Sequence, residues 1–487
     1  MKLVIWINLL NKYKSIPVTV KASIAYTICG ILQNGLSVIT MPIFTRLLTT
    51  EQYGQYNIYY SWSGILTLFI TLNMWAGSFP KAMVKYEQNR DQYIASIQGI
   101  CIILAGVFFL IYFPLRNILN RLFELPTFLI IVMVAEILGQ VSLQFWSGKK
   151  RFQFKYISVV IVTLCISVIA PFAAYFLVVN TEEKGYARIV GYAAVYIAFG
   201  FFFMVYNWIN GKTFYNKEYW NYTLSINLPL IIYYLSQVVF NQSDRIMISH
   251  FVGTDKAGIY GVAYSLAILL SFVLNSINNS YVPWFYEKLK EGKQEENRSI
   301  AVIISVIMAV LLLCVMWLSP EIILIMAGKE YTEAVWVVPP VAMSILLLFY
   351  SQLCINIEFY FEKKNQLLFA SISAAVVNIV LNAICIPRMG FIAAGYTTLI
   401  SYLIFFGSNY YAMAKILKEK GVPNNSFDLK IMLLILFVFT AIGFLGMALY
   451  SMLFVRLLIM AIVFIILLIN YKFVLSNIKK ILSFKAE

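Results

Sequence analysis

The sequence predicts an all-α polytopic membrane protein made of two related lobes, from its apolar runs, its charge distribution and an internal repeat. Of its 487 residues, 61% are hydrophobic and 12% are charged. Apolar stretches of about twenty residues follow one another, each long enough to cross a hydrocarbon core of roughly 30 Å. A soluble protein is excluded, because no globular core could hide so much Ile, Leu, Phe and Tyr.

The apolar stretches predict about fourteen transmembrane helices. In chain order, and numbered as spans 1 to 14, they lie near residues 22–45, 57–79, 94–115, 127–147, 157–179, 188–209, 224–248, 259–284, 299–319, 333–357, 366–386, 391–414, 429–450 and 456–474.

Lys and Arg alternate between the two sides that these spans define. One side, which holds both ends of the chain, receives 27 of the 37 basic residues, and the other receives 10. Basic residues accumulate on the cytoplasmic side of membrane proteins, so both termini are expected in the cytoplasm. The net charge of +15 is therefore a topology signal rather than a sign of nucleic-acid binding.

An internal repeat relates the two halves of the chain. Residues 45–61 return as residues 249–265 without a gap, so that Gly54 matches Gly258 and Tyr60 matches Tyr264. Further matches pair span 4 with span 10 and span 6 with span 12. Six helices per copy is an even number, which predicts two parallel lobes related by a pseudo-two-fold axis along the membrane normal. The expected divisions are an N-lobe (1–215), a C-lobe (216–416) and two additional helices with a basic tail (417–487).

The sequence favours a transporter over an enzyme. No loop exceeds about twenty residues, and no P-loop motif is present, so a nucleotide-binding or catalytic domain has no place. The six cysteines all lie in apolar runs without metal-ligand spacing, which indicates small core residues. No metal, cofactor or disulfide is expected.

Three blocks resemble the signatures of a known family. The first runs from Pro42 through Arg46 to Gly54-Gln-Tyr56; the second runs from Leu228-Pro229-Leu230 through Asn241 and Asp244-Arg245 to Gly258-Ile-Tyr260; the third contains Asn378, Asn382, Pro387, Gly390 and Gly395. Their order and spacing resemble the polysaccharide and O-antigen flippases of the multidrug/oligosaccharidyl-lipid/polysaccharide exporter superfamily. The basic-aromatic pair Lys85-Tyr86 follows span 2, as in many members.

This resemblance implies a bacterial cytoplasmic (inner) membrane protein that moves a polyprenyl-diphosphate-linked oligosaccharide from the cytoplasmic to the outer leaflet by alternating access. Implied partners are that lipid-linked oligosaccharide, membrane lipid, H⁺ or Na⁺ as coupling ions, and polysaccharide polymerase or chain-length machinery. One alternative is a drug or organic-cation antiporter of the same superfamily. Another is a membrane-embedded polymerase or glycosyltransferase, which a missing external loop and missing carboxylate pair disfavour.

Glu136 is the first candidate for substrate binding. It falls in the middle of span 4, where a carboxylate is costly and usually faces protein or water. Gln140 and Gln144 follow at helical spacing and extend it into one polar stripe. The stripe is interpreted either as part of a transport cavity or as polar contacts that hold neighbouring helices together.

The remaining candidates are charged or amide residues at span ends. Asp244 and Arg245 appear only in the second copy of the repeat, since their positions in the first hold Thr40 and Met41; they form either an interfacial ion pair or a substrate contact. A diphosphate needs cations, and arginine binds phosphate oxygens well. The other candidates, several of which also fit a purely topological role, are Arg46, Lys81, Lys85, Asn241 and Glu358.

Overall fold

The computed structural model describes residues 17–469, and all regular structure in that range is helical. The helices separate into two compact units that meet in the chain at Val238 and Val239. This confirms the predicted all-α class.

From residue 17 onward, unit 1 contains nine described helices and the start of a tenth. They are α1 (Val18–Leu47), α2 (Thr50–Thr71), α3 (Phe79–Lys85), α4 (Arg90–Tyr112), α5 (Arg116–Phe123), α6 (Thr127–Phe152), α7 (Tyr156–Val179), α8 (Lys184–Gly211), α9 (Lys217–Asn227) and α10 (Ile231–Phe251), whose C-terminal part belongs to unit 2. Short 3₁₀ helices occupy Glu87–Asn89 and Leu228–Leu230.

Unit 2 continues with eight helices up to residue 469, where the described part of the chain ends. They are α11 (Thr254–Lys290), α12 (Asn297–Trp317), α13 (Ser319–Met326), α14 (Val338–Tyr360), α15 (Lys364–Met389), α16 (Ile392–Glu419), α17 (Leu429–Ala448) and α18 (Leu453–Ile469). Its 3₁₀ helices occupy Gln294–Glu296 and Lys329–Trp336.

Every predicted span overlaps at least one helix of the described region, and residues 470–474 of the last span lie outside the described residues. Among the described residues, ten helical segments are both long and apolar enough to cross a membrane, and the other four spans correspond to α2, α11, α16 and α18. Of these four, α2 and α16 are long enough but less apolar, and α18 has 17 described residues.

The repeat reappears in the architecture of each unit. Helix α2 begins at Thr50 and α11 begins at Thr254, the two positions that the alignment pairs. In unit 1, Thr49 and Gln52 form a capping box that satisfies the free amides of the first turn. In each unit the paired tyrosines stack: Tyr56 on Tyr60 with ring centroids 6.4 Å apart, and Tyr260 on Tyr264 at 6.0 Å.

The same packing pattern surrounds the last repeated helix. In unit 1, α8 lies along both α6 and α7, and in unit 2, α16 lies along both α14 and α15. Small residues permit the approach in unit 1: a Cβ atom on Gly200 would lie 2.1 Å from the Cα of Gly139, so only glycine fits. Short helices α5 and α13 also occupy equivalent places, after the third and ninth spans.

One departure from the repeat was not predicted. Span 2 was expected to be continuous over residues 57–79, but α2 ends at Thr71 and α3 begins only at Phe79. Leu72 and Asn73 between them adopt left-handed conformations, with φ of 49° and 47°. The matching segment of unit 2 is uninterrupted within the 37-residue α11.

The additional helices pack on unit 2 through a buried arginine. Arg456 of α18 is 1% exposed, and its two terminal nitrogens donate to both carboxylate oxygens of Glu321 at 2.6 and 3.0 Å. One of them also donates to the backbone oxygen of Trp317, at the end of α12. Helix α17 lies along α12 and α14.

The cysteine interpretation needs one correction. Cys29, Cys101 and Cys354 are buried as expected, but Cys165 is exposed on α7. An apolar stretch in a membrane protein need not face the protein interior, because lipid accepts a small apolar side chain equally well.

Candidate functional site

Glu136 lies buried in unit 1 with a donor on each carboxylate oxygen. The Tyr59 hydroxyl of α2 donates to Oε2 at 2.7 Å, and the Gln140 side-chain amide donates to Oε1 at 2.9 Å. The side chain of Glu136 is 7% exposed, so these two hydrogen bonds replace its hydration. The structure thus brings Glu136 and Gln140 together, as their spacing predicted, and adds Tyr59.

Gln144 does not share this environment. It lies two turns further along α6 and is exposed, whereas Glu136 is buried. The three residues therefore form a stripe on the helix surface, but only the first two form one hydrogen-bonded group.

Asp244 is the centre of a second buried group, in unit 2. Tyr260 of α11 and Thr398 of α16 each donate to its Oδ2 at 2.7 Å, and Asn382 of α15 donates to its Oδ1 at 2.7 Å. Asp244 is 2% exposed. Asp244 of α10 and its three donors on three other helices form a cross-link between four helices, because each helix loses a hydrogen bond if it moves away.

The amides of the third motif block complete this group. Asn378 accepts from Ser243 at 3.1 Å and from Asn382 at 3.2 Å, and it donates to Thr398 at 3.3 Å. Thr397 in turn donates to the side-chain oxygen of Asn382. Blocks two and three of the sequence resemblance thus meet in space.

Arg245 does not form the ion pair with Asp244 that their adjacency suggested. It is 8% exposed, donates to Gln242 Oε1 at 3.0 Å, and stacks its guanidinium 4.5 Å from the centroid of Tyr264. Consecutive helical residues point about 100° apart, which separates the two charges. The Tyr264 hydroxyl reaches Asn241 at 3.5 Å, so Asn241 borders the same arginine-tyrosine contact.

Glu358 differs from the other two buried acids. It is 1% exposed near the end of α14, and within the described part of the chain neither carboxylate oxygen has a hydrogen-bond donor. Two residues earlier, Asn356 donates to Asn278 of α11 at 3.0 Å. An unpaired carboxylate in this environment is costly, which distinguishes Glu358 from a structural cross-link.

The three exposed basic candidates of unit 1 do not form a single cluster. Arg46 lies in the last turn of α1, and Lys81 and Lys85 lie on α3; all three are exposed. The Lys85 ammonium lies 4.3 Å from the ring centroid of Tyr222 and 4.9 Å from that of Tyr86. These positions suit residues at a membrane surface.

Sequence reasoning missed Arg188. This residue of α8 is 5% exposed and is surrounded by three aromatic rings, those of Phe44, Tyr53 and Tyr56. A charge at the edge of an apolar stretch, three residues before the repeated Gly191-Tyr192, was the available signal. The charge distribution counts it only as one of the ten basic residues on the outer side.

Sequence reasoning also missed a hydrogen-bonded contact in the segment between α2 and α3. Asn227, at the end of α9, accepts from the backbone amide of Ser78 at 3.2 Å and donates to its hydroxyl at 2.7 Å. Gly77 makes this approach possible, because a Cβ atom there would lie 1.9 Å from the side-chain oxygen of Asn227. No pattern in the sequence links Ser78 with Asn227, which lies 149 positions later.

Known proteins resemble this chain in sequence and in fold. A family model described as "Polysaccharide biosynthesis protein" matches residues 19–289, more than half of the chain. Among curated proteins of Haemophilus influenzae, "Lsg locus putative protein 1" is 26% identical over 160 residues, which are 32% of this chain and 39% of that protein. An "Uncharacterized membrane protein" is 20% identical over 74% of this chain and 88% of its own length.

Two solved structures share the fold. "Lipid II flippase MurJ, inward closed conformation" superimposes with a TM-score of 0.62 at 14% identity, over 90% of this chain and 100% of its own. An inward-facing MATE-family multidrug resistance transporter gives 0.59 at 11% identity, over 82% and 99%. The chain therefore belongs to the polysaccharide biosynthesis protein family and has the fold shared by MurJ and the MATE transporters.

Proposed function

We propose that this protein is a flippase that carries a polyprenyl-diphosphate-linked oligosaccharide, such as an O-antigen repeat unit, from the cytoplasmic to the outer leaflet. The observation that carries the proposal is the coincidence of a polysaccharide biosynthesis family match with the fold of a protein whose solved structure is titled a lipid II flippase. The expected location is the bacterial cytoplasmic membrane with both termini inside.

The buried polar groups support a polar cargo. Glu136 with Gln140 in unit 1 and Arg245 with Asn241 in unit 2 place carboxylate, amide and guanidinium groups on membrane helices. Such groups are costly in lipid and usually serve a substrate or ion path. Sugar hydroxyls and a diphosphate offer the matching donors and charges.

The membrane potential supplies a driving force for this direction of transport. An anion that moves outward across an inside-negative membrane gains about 2.3 kcal/mol per charge for each 100 mV. Exchange for H⁺ or Na⁺ would add to this drive, and Glu358, a buried acid with no donor among residues 17–469, is the candidate to carry the ion.

Reconstitution tests the proposal. Purified protein in proteoliposomes is expected to move a fluorescent polyprenyl-diphosphate oligosaccharide to the opposite leaflet, measured by quenching with an impermeant reagent, and faster than protein-free vesicles. The MATE-like fold makes a drug or cation antiporter the second candidate. Export of cationic dyes without movement of the labelled lipid would establish that candidate and overturn the flippase.

A further inference from the structure

Arg188 is a buried cation, and two of its three guanidinium nitrogens lack an acceptor among the described residues. Its guanidinium carbon lies 3.8, 4.4 and 4.6 Å from the ring centroids of Tyr56, Tyr53 and Phe44, and we call these four residues the Arg188 cage. The two nitrogens, Nε and Nη1, are both buried.

The aromatic rings compensate the charge only in part. A cation on an aromatic face gains about 0.5–2 kcal/mol, but an N–H group without an oxygen acceptor still loses its hydration. The contrast with Arg456 is direct, since that buried arginine has both terminal nitrogens on the Glu321 carboxylate. The Arg188 cage therefore contains a cation but no anion.

Unit 2 contains a related arginine–tyrosine contact, but its arginine has different polar neighbours. The equivalent tyrosine stack, Tyr260 on Tyr264, also carries an arginine, Arg245, on the ring of Tyr264. Arg245 donates through Nη1 to Gln242, while its Nε has no partner among the described residues; Asp244 precedes it in the chain but does not pair with it. Unit 1 has no acid at the corresponding position, which holds Thr40.

The cage lies close to the protein surface. Tyr56 stacks on Tyr60, and the side chain of Tyr60 is 58% exposed. A ligand from the membrane would thus reach Arg188 by displacing one ring. The cage is formed by the end of α1 and the beginnings of α2 and α8, which the predicted topology puts on the outer side.

We propose that the Arg188 cage is a binding site for a phosphoryl group of an anionic lipid. Guanidinium groups bind phosphate oxygens through charge-assisted hydrogen bonds, and two free donors in a low-dielectric environment make such bonds strong. The phosphoryl group belongs either to the polyprenyl diphosphate or to an anionic glycerophospholipid. The inference rests on the proposed function for the first source only.

Binding to the full-length protein in a neutral maltoside detergent tests the site. Native mass spectrometry counts bound ligand for polyprenyl diphosphate without sugar, for phosphatidylglycerol and for an uncharged polyprenol. The Arg188→Gln variant is expected to lose about tenfold or more in affinity for the phosphorylated lipids, as expected for a lost charged hydrogen bond, and Arg188→Lys to lose less. Polyprenol binding is expected to stay unchanged.

Arg151→Gln is the matched control, because Arg151 also stacks on a tyrosine, 4.8 Å from the ring centroid of Tyr26, but is exposed. It should leave lipid affinity unchanged. A preference for polyprenyl diphosphate that depends on Arg188 supports the substrate as the source, and an equal dependence for phosphatidylglycerol supports the membrane lipid. Equal affinities in wild type and both Arg188 variants, with only a lower unfolding temperature, would overturn the site and make Arg188 structural.

The two proposals fail separately. If the flippase reading is wrong, the labelled oligosaccharide does not move, yet phosphorylated lipids still bind in an Arg188-dependent manner. If the Arg188 cage is not a phosphoryl-binding site, the oligosaccharide still moves, but the affinity for phosphorylated lipids does not depend on Arg188.

Discussion

Tyr59 and Glu136 form a hydrogen bond across 2.7 Å that joins α2 to α6 inside unit 1, at a sequence separation of 77 residues. The carboxylate needs two donors because it is buried, and Tyr59 and Gln140 are those donors. Replacing the Glu136 carboxylate with an amide of the same shape retains the packing and removes the charge. This change therefore distinguishes a structural role of Glu136 from a role in transport.

Glu136→Gln is expected to reduce translocation of the labelled lipid several-fold while leaving expression and detergent stability close to wild type. The reason is that the new amide keeps the shape and its oxygen still accepts from Tyr59, while its NH₂ group can donate to Gln140 once the Gln140 side-chain amide turns over; only the negative charge is lost. Reconstituted transport and thermal unfolding measure the two effects. The same substitution at the exposed Glu182 is the control and should change neither. Unchanged transport in Glu136→Gln would assign Glu136 to structure.

Substitutions around Asp244 are expected to destabilise unit 2 in a fixed order. Tyr260→Phe removes one of three donors and should cost about 0.5–1.5 kcal/mol, whereas Asp244→Ala leaves three buried donors unpaired and should cost several times more. Asp244→Asn should fall between them, because its NH₂ group faces donors. Thermal unfolding in detergent gives the order. A wild-type unfolding temperature for Asp244→Ala would contradict the cross-link.

Gly77 and Asn227 should show strong coupling in a double-mutant cycle. Gly77→Ala places a Cβ atom 1.9 Å from the Asn227 side-chain oxygen, so it should cost about 1–3 kcal/mol through the lost hydrogen bonds to Ser78. In an Asn227→Ala background that clash is gone, so adding Gly77→Ala should cost little more. Additive costs would show that the two residues act independently.

Cysteine labelling of intact cells tests the topology. In a cysteine-free background, Glu182→Cys and Lys329→Cys are expected to react with an impermeant maleimide from outside, and Lys418→Cys only after lysis; all three positions are exposed. The neighbouring Gly185 is unsuitable, because a Cβ atom there would lie 2.2 Å from Gln55 Oε1. Protection of either outer position in intact cells would reverse the predicted orientation.

The class of the fold, the positions of the helices and the repeat could be read from the chain alone. They depend on local properties: the length of an apolar run sets a span, basic residues set its orientation, and turn residues such as Thr49 set where a helix begins. Thr50 and Thr254 accordingly begin matched helices, as the alignment indicated.

The pairing of polar residues required the folded molecule. Glu136 with Tyr59, Asp244 with Asn382 and Thr398, and Arg188 with three rings join positions far apart in the chain. The break at residues 72–78 also depends on a distant residue, Asn227. A helical pattern shows which face a side chain occupies, but only the close packing of helices determines which donor meets which acceptor, and whether a buried charge such as Arg188 meets one at all.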